Sequence, residues 1–167
     1  MIMKTVKVQQ LSAESFKKYG TYAALINPDA ESTGPKDATI CFYRDMVQQE
    51  LFGVNPSFST CRMKKRPLVI DAGEYHNHTC EVCMPLSGDS LVWVAPADCS
   101  DHVPTDKIEV FFVPRGTILN VRPGVWHHAA FALDDVLDVM IVLPERAYIN
   151  DCICYAIPEA DQVQIEY

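Results

Sequence analysis

The chain lacks any apolar run long enough to cross a membrane, because nowhere in its 167 residues do about 18 apolar residues follow one another. The first ten residues, MIMKTVKVQQ, lack the apolar stretch of a secretory signal peptide. Positive charge is also scarce, with 14 Lys and Arg against 22 Asp and Glu, which argues against a surface that follows a phosphate backbone. These absences predict a cytoplasmic protein that binds neither membranes nor nucleic acid, and they favour a small-molecule partner.

The sequence also lacks the pattern of a disulfide framework, since its seven cysteines are odd in number and no secretory signal accompanies them. Reduced thiols are therefore expected. Two pairs, Cys80-x-x-Cys83 and Cys152-x-Cys154, have short spacings of the kind that zinc sites use. Both lie in apolar, strand-like stretches, where small buried cysteines are common. We predict that these cysteines are core residues.

Helical patterns are confined to the N-terminal part of the chain. Ser12 supplies a capping hydroxyl and Gly20 a stop for one short helix, and a second helix is predicted over residues 42–52. Residues 27–36 are dense in Asn, Pro, Asp, Ser and Gly, which predicts a surface loop.

From residue 58 onward the sequence consists of short β-rich runs separated by turn residues. The runs are FSTCRM, PLVIDA, CEVCMPL, SLVWVAP, KIEVFFVP, TILNVRP, VWHHAAFAL, VLDVMIVLP, CICYAI and VQIEY. So many strands without intervening helices indicate an antiparallel sandwich or barrel. With 49% hydrophobic and 22% charged residues, the composition is that of a folded protein, and we predict one domain over residues 1–167.

Histidine is scarce, and its distribution is the strongest functional signal. Four of the five histidines fall in two clusters on predicted strands. The first cluster reads Glu74-Tyr-His76-Asn-His78-Thr-Cys-Glu81. Because side chains alternate along a strand, Glu74, His76 and His78 share one face until the chain bends.

This first cluster resembles the first motif of cupins, in which two ligands two residues apart precede a Glu and then a Gly. His76, Glu81 and Gly88 fit the spacing of that motif, and Glu74 then stands where the family usually has its first His. A competing register pairs His76 with His78, but Glu81 then comes too early. We prefer the first register, which leaves His78 at the rim of the site.

The second cluster resembles the second cupin motif, in which a His follows a Gly in a Pro/Gly turn. Pro123-Gly124-Val125-Trp126-His127 matches this pattern and nominates His127. Strand alternation places His128 on the opposite face unless a bulge intervenes, so the sequence leaves open which of the two histidines faces inward.

Together the two motifs imply a mainly β fold, a cupin-type antiparallel β-barrel or jelly roll with one or two short N-terminal helices. Four side chains would surround one point inside the barrel: Glu74, His76, Glu81 and His127. Imidazole and carboxylate ligands suit a divalent transition metal such as Ni, Mn, Fe or Zn. The alternative is a pocket lined by satisfied polar groups without an ion.

Over nearly its whole length the chain resembles the ureidoglycolate lyase family, a cupin branch that acts late in allantoin breakdown, within purine catabolism. The resemblance is carried by LSAESFKKYG, the Arg62 segment, Glu74-x-His76, Met84-Pro85 and Val125-Trp126-His127-His128. The Trp-His-His signature after an Asn and a Pro/Gly turn is the most specific of these. Glu81 replaces a Gln of the family pattern and His78 is an added His, and both departures favour a cation.

The resemblance implies cleavage of ureidoglycolate to glyoxylate and urea, a reaction that needs one base and one acid. A metal held by the four ligands would lower the pKa of the substrate hydroxyl. Without a metal, His76 or His127 would act as the base and Glu81 would hold the ureido group. His128 is a candidate acid.

The substrate is a small anion, for which Arg62 is a candidate bidentate partner and Trp126 a wall of the pocket. Two other functions stay open. One is a metal-dependent cupin enzyme of another class, an isomerase or dioxygenase acting on a different small carboxylate, motivated by Glu81 and His78. The other is a non-catalytic barrel that binds a small carboxylate. A homodimer is expected, because pairing would cover exposed sheet edges.

Overall fold

The computed structural model describes residues 3–25, 32–33, 35, 42–43, 45–49 and 53–167. The first strands are β1 (Lys4–Gln10), β2 (Gly20–Ala24), β3 (Ser32–Thr33), β4 (Phe42–Tyr43), β5 (Pro56–Lys64), β6 (Val69–Ile70), β7 (Ala72–Tyr75) and β8 (Glu81–Pro85). They are followed by β9 (Ser90–Ala95), β10 (Glu109–Val113), β11 (Thr117–Val121), β12 (Trp126–His127), β13 (Phe131–Ala132), β14 (Val136–Pro144), β15 (Ile153–Ala156) and β16 (Val163–Glu166). The helices are α1 (Ala13–Phe16) and α2 (Ala147–Asn150), with 3-10 turns at Thr105–Lys107 and Glu159–Asp161.

The described strands form two main sheets. The larger has the order β15-β7-β12-β9-β10-β1-β16-β6, with β13 pairing beside β9, and the smaller has the order β2-β11-β8-β14-β5. Strands β3 and β4 pair with each other in a separate ribbon. Pairing is antiparallel except at β1, which runs parallel to both β10 and β16.

Strand β9 shows where the core lies, because every one of its residues is buried. Val92 and Val94 point to the core between the two sheets, together with Leu119 and Val139 from the smaller sheet. The alternate residues of β9 point to a second core on the other face of the larger sheet. A continuous apolar run is the pattern expected of a strand covered on both faces. Four of the candidate functional residues, His76, Glu81, His127 and His128, lie on the side of the first core.

The predicted fold class, a mainly β cupin-type barrel, is confirmed by these two curled sheets. Each of the ten predicted runs contains a strand. The predicted N-terminal helix is also present as α1, where Ser12 caps the first turn and forms a reciprocal capping box with Ser15. The short spacing of strands and turn residues was therefore sufficient to predict the barrel.

Several elements differ from those predicted from the sequence. The helix predicted over residues 42–52 is wrong for the described residues, since Phe42–Tyr43 is strand β4 and residues 45–49 are not helical. Strands β1 and β2 and helix α2 were not predicted. Most of the loop predicted at residues 27–36 lies outside the described residues.

The cysteines divide into two groups. Cys80 and Cys83 are buried, as predicted. Cys154 is exposed and Cys152 is only half-buried, so the core prediction is wrong for this second pair.

In the part of the chain that the structure describes, no helix has the length and apolar character needed to span a bilayer.

Candidate active site

The site begins with a row of side chains across three neighbouring strands of the larger sheet. Glu74 on β7 pairs with His127 on β12 and with Cys154 on β15. Directly paired residues project to the same face of a sheet, so these three side chains lie side by side. His76 follows Glu74 by two positions, just beyond the end of β7, and continues the same face.

Glu81 approaches this row from the opposite sheet, where it is the first residue of β8. Its Oε2 atom lies 3.1 Å from His76 Nε2 and 3.4 Å from His127 Nε2. Both histidines are buried, and the Glu81 side chain is 12% exposed. The barrel therefore brings two imidazoles and one carboxylate to a single point.

Backbone carbonyls fix the orientation of both imidazole rings. His76 Nδ1 donates to the carbonyl oxygen of Asp151, and His127 Nδ1 donates to that of Val125 at 2.8 Å. Because each Nδ1 carries the proton, each Nε2 is left to face Glu81. A backbone or carboxylate acceptor on the outer nitrogen is the usual partner of a histidine whose inner nitrogen binds a metal.

A turn couples the two motifs. Gly124 adopts a left-handed backbone with φ 76°, a conformation that favours glycine, and its N–H donates to the carbonyl of His76 at 2.7 Å. The turn therefore holds the backbone just before His127 against His76, so that the imidazoles of both residues can reach Glu81.

Charge pairing dominates the electrostatics of the group. Burial raises the pKa of Glu81, but the attraction of His127 and the hydrogen bonds of both histidines outweigh it and lower that pKa to about 2. Burial lowers the pKa of His127, but Glu81 outweighs it and raises that pKa to about 9. The pKa of His76 is also raised, because its hydrogen bonds to Glu81 and Asp151 outweigh burial. Without a metal, the group is a carboxylate held between the His127 imidazolium and His76, whose pKa is raised.

The donor set fits a divalent transition metal. One ligand atom from each of His76, Glu81 and His127 lies within 4.8 Å of the others. Two imidazole nitrogens and one carboxylate, with their rings already oriented by outer hydrogen bonds, match the chemistry of Zn, Ni, Mn or Fe sites. Glu74 lies elsewhere, against Cys152 and Cys154, although its charge still contributes to raising the pKa of His127.

The group opens into a cavity of about 170 Å³. Apolar side chains from both sheets form most of its wall, including Met63, Val92, Val121, Val139 and Ile141. Among the described residues that line it, the basic side chains are all histidines: His76, His127 and His128. The cavity is therefore a small, mostly apolar chamber with its polar groups concentrated at one place.

Both members of the histidine pair reach this cavity. His127 is the last residue of β12, and His128 lies beyond the strand and also lines the cavity. Alternation constrains only residues within a strand, so the end of β12 frees His128 from the opposite face. Trp126 does point to the opposite face, where it packs against Tyr75 with ring centroids 4.5 Å apart in the second core.

Two candidates lie outside the cavity. The Arg62 side chain is 72% exposed and forms a bidentate pair with Asp138, at 2.7 and 2.8 Å, on the outer face of the smaller sheet. His78 is 84% exposed and contacts the carboxylate of Asp151 at 3.1 Å. The structure thus brings His76, Glu81, His127 and His128 together, and it leaves Arg62, His78 and Trp126 out.

Sequence reasoning missed several residues that shape the site. Asp151 orients His76 through its carbonyl, while its carboxylate accepts from the backbone N–H groups of Asn77 and His78 at 2.8 Å. Arg66 donates to the carbonyls of Ala129 and Ala130, two residues of the cavity wall. These roles depend on backbone carbonyls and contacts distant in sequence, for which no local pattern exists.

These features define a class of protein: a small β-barrel enzyme with two histidines and a carboxylate inside an apolar cavity. The family model for ureidoglycolate lyase matches residues 3–166. The chain therefore belongs to the ureidoglycolate lyase family, and it is a lyase-type enzyme.

Curated relatives agree with this membership. A ureidoglycolate lyase of Burkholderia cepacia is 28% identical over 141 residues, covering 82% of this chain and 78% of the relative. A ureidoglycolate lyase of Burkholderia mallei (strain NCTC 10229) is 26% identical over 172 residues, covering 89% and 95%. Among solved structures, the dTDP-6-deoxy-D-glucose-3,5-epimerase RmlC of Legionella pneumophila aligns with a TM-score of 0.37 and 14% identity, over 83% of this chain and 71% of that chain.

Proposed function

We propose that the protein cleaves ureidoglycolate to glyoxylate and urea. The observation that carries the proposal is the convergence of His76 Nε2 and His127 Nε2 on Glu81 inside the cavity, in a chain of the ureidoglycolate lyase family. The curated relatives bear the name of this activity at 26–28% identity, so the reaction of this chain needs its own test.

The reaction moves one proton and breaks one bond. The central carbon of ureidoglycolate carries a hydroxyl and a ureido nitrogen. Loss of the hydroxyl proton lets that oxygen form a carbonyl, while the electrons of the carbon–nitrogen bond leave with the nitrogen, which takes up a proton. Glyoxylate and urea result, and no other reactant is consumed. The enzyme must therefore bind a small anion and relay a proton between two atoms attached to the same carbon.

The donor set of the converging group supports a bound cation. The substrate carries a carboxylate, whereas the described wall contains neither Lys nor Arg, and the positive charge of His127 is already paired with Glu81. We infer that His76, Glu81 and His127 hold a divalent metal, which when bound supplies a Lewis acid that attracts the substrate carboxylate and lowers the pKa of its hydroxyl.

His128 is then the residue that we assign to proton transfer. It lines the cavity beside His127 and takes no part in the converging group. Because the hydroxyl and the ureido nitrogen share one carbon, a single imidazole can accept the proton from the first and deliver it to the second. The apolar wall around these groups restricts water and strengthens their electrostatic interactions.

Purified protein incubated with ureidoglycolate, with glyoxylate measured against the spontaneous background, tests the proposal. We expect His128→Asn to lower kcat by roughly 10²–10⁴-fold with little change in KM or in metal content, the range for loss of general acid–base catalysis. The matched control is Arg62→Ala, an exposed position outside the cavity, which should retain activity. A wild-type rate no higher than the background, in metal-loaded protein, would exclude the proposed reaction.

One observation favours a second candidate. Two histidines with one carboxylate are also the ligand set of non-haem Fe(II) oxygenases. A dioxygenase acting on a different small carboxylate would consume oxygen only in the Fe(II)-loaded protein. Oxygen uptake during a screen of small acids, without release of urea, would favour this function over the lyase.

We also propose that the enzyme works as a homodimer in the cytoplasm. Among the described strands, β5 is the last strand of the smaller sheet, and its Phe58 is 71% exposed. A second copy that covers this side of the sheet would bury the ring and pair with the strand. Sedimentation of wild-type protein and of Phe58→Glu tests the dimer, since a monomeric wild type would contradict it.

A further inference from the structure

A second cluster of metal-ligating side chains lies at the outer end of the cavity and has no part in the proposed reaction. Cys152 Sγ lies 3.2 Å from Glu74 Oε2 and 3.5 Å from Cys154 Sγ, and Cys154 Sγ lies 3.8 Å from the same carboxylate oxygen. Glu74 and Cys152 also line the cavity. We refer to these three residues as the thiol cluster.

Strand pairing explains why the cluster forms. Cys154 pairs with Glu74 across β15 and β7, and Ile153 pairs with Tyr75. Continuing this register places Cys152 opposite His76, so both cysteines share the cavity face with Glu74. Burial increases along this face, from exposed Cys154 through half-buried Cys152 to buried His76.

The spacing of the three atoms matches a cation site. For tetrahedral zinc, with Zn–S about 2.3 Å and Zn–O about 2.1 Å, the expected separations are about 3.8 Å for S···S and about 3.6 Å for S···O. The observed values of 3.5, 3.2 and 3.8 Å lie within about 0.4 Å of these. Two thiolates with one carboxylate select a soft or borderline cation over Mg²⁺ or Ca²⁺.

We propose that Glu74, Cys152 and Cys154 form a second metal site, for Zn²⁺ or a similar thiophilic cation, separate from the group of His76, Glu81 and His127. Glu74 enters as a carboxylate, and the two thiols release their protons to the solvent when the cation binds. Solvent can supply the fourth ligand, because Cys154 lies at the surface. In the metal-free protein the Cys152 thiol instead donates to Glu74.

Cadmium is a suitable probe, because thiolate coordination gives an ultraviolet charge-transfer absorption that imidazole and carboxylate ligands do not. Titration of reduced, metal-free full-length protein with Cd²⁺ should give a thiolate band that saturates by about two equivalents per chain, because the group of His76, Glu81 and His127 can also bind Cd²⁺ without contributing to the band. Cys154→Ser should lose half of the band or more and weaken Cd²⁺ binding by more than roughly tenfold, the lower bound for a disturbed metal site. The exposed position of Cys154 makes this variant compatible with folding.

Two controls make the result specific. Cys99→Ser removes another exposed free thiol and should retain the full band. His127→Ala removes a ligand of the other group and should also retain it, which shows that the sites are separate. The proposal is overturned if wild-type protein gives no thiolate band, or if folded Cys154→Ser gives the wild-type band, because other thiols would then hold the metal. Should Cys154→Ser not fold, Glu74→Gln must weaken Cd²⁺ binding, and unchanged affinity overturns the proposal.

Discussion

At the scale of single residues, the site depends on Glu81. One oxygen of this side chain faces the Nε2 atoms of two histidines. The carboxylate of Glu81 places a negative charge at this point, which either protonated imidazole or a metal ion must balance. The charge of Glu81 therefore affects both stability and metal affinity.

The metal-free protein should show the pH dependence of this charge pairing. The pKa of His127 is raised from 6.5 to about 9, so its contribution to stability is fully present below pH 6.5 and is lost as the pH rises through 9. The pKa of Glu81 is lowered from 4.5 to about 2, so its contribution is present above pH 4.5 and is lost as the pH falls through 2. The free energy of unfolding should therefore be greatest between pH 4.5 and pH 6.5, where both contributions are fully present.

Urea denaturation of chelator-treated protein at several pH values checks this expectation. We expect a loss on the order of 2–3 kcal/mol between pH 6.5 and pH 9 in the wild type. Glu81→Gln should flatten that slope, since the partner charge is removed. Stability that increases over this range in metal-free protein would contradict the assigned pairing.

At the scale of elements, the turn before β12 connects the backbone of the barrel to the positions of His76 and His127. Gly124 and Gly116 share nearly the same left-handed backbone, at φ 76° and 77°, but of these two only Gly124 donates to His76, a member of the converging group. A Cβ at position 124 would also lie 3.0 Å from the Cβ of Ala97, whereas one at position 116 would meet nothing within 4 Å. The two turns therefore share the backbone strain, and Gly116 serves as the control for that strain alone.

Alanine substitution at each turn separates backbone strain from site geometry. Both Gly124→Ala and Gly116→Ala should lose about 1–2 kcal/mol of stability, the cost of a left-handed backbone for an L-residue, and Gly124→Ala should lose more because its Cβ also meets Ala97. Only Gly124→Ala should also lower metal affinity and kcat, because it displaces His76 and His127 relative to Glu81. Thermal unfolding and metal titration measure the two effects, and equal metal affinities in the two variants would argue against coupling through this turn.

The strands and turns also show how much of the structure could be predicted from the sequence. Strand runs and turns are local patterns, and they predicted an antiparallel sandwich or barrel. The resemblance of two short motifs to those of cupins then implied the barrel and nominated His76, Glu81 and His127. The parallel pairing of β1 depends on distant partners, and its alternating, mostly exposed residues gave no apolar run to recognise. The exposure of Cys154 was missed for a related reason, because its strand is the last of the described strands in the larger sheet, a position that the sequence does not show.

At the scale of the whole molecule, metal binding should stabilise the fold. The three ligands come from β8, β12 and the end of β7, and so from both sheets. A metal bound only by the folded protein adds about 2.7 kcal/mol at a hundredfold excess over Kd.

Thermal unfolding with Ni²⁺, Mn²⁺, Fe²⁺ or Zn²⁺ measures this effect. We expect an upward shift of several degrees for the cation that the site prefers, and loss of that shift in His127→Ala. The Cys154→Ser variant should keep the shift with Ni²⁺ or Mn²⁺, since its thiol lies in the other cluster. An equal shift in His127→Ala and wild type would place the stabilising ion elsewhere.

One short stretch carries an unusual share of the site. Residues 146–154 supply three things: the carbonyl that orients His76, the side chain of Tyr148 in the cavity wall, and both thiols of the thiol cluster. None of the three converging ligands belongs to it. Evolution or protein engineering could therefore exchange this one stretch to change access, ligand orientation and metal preference together, while the barrel and its central ligands stay as they are.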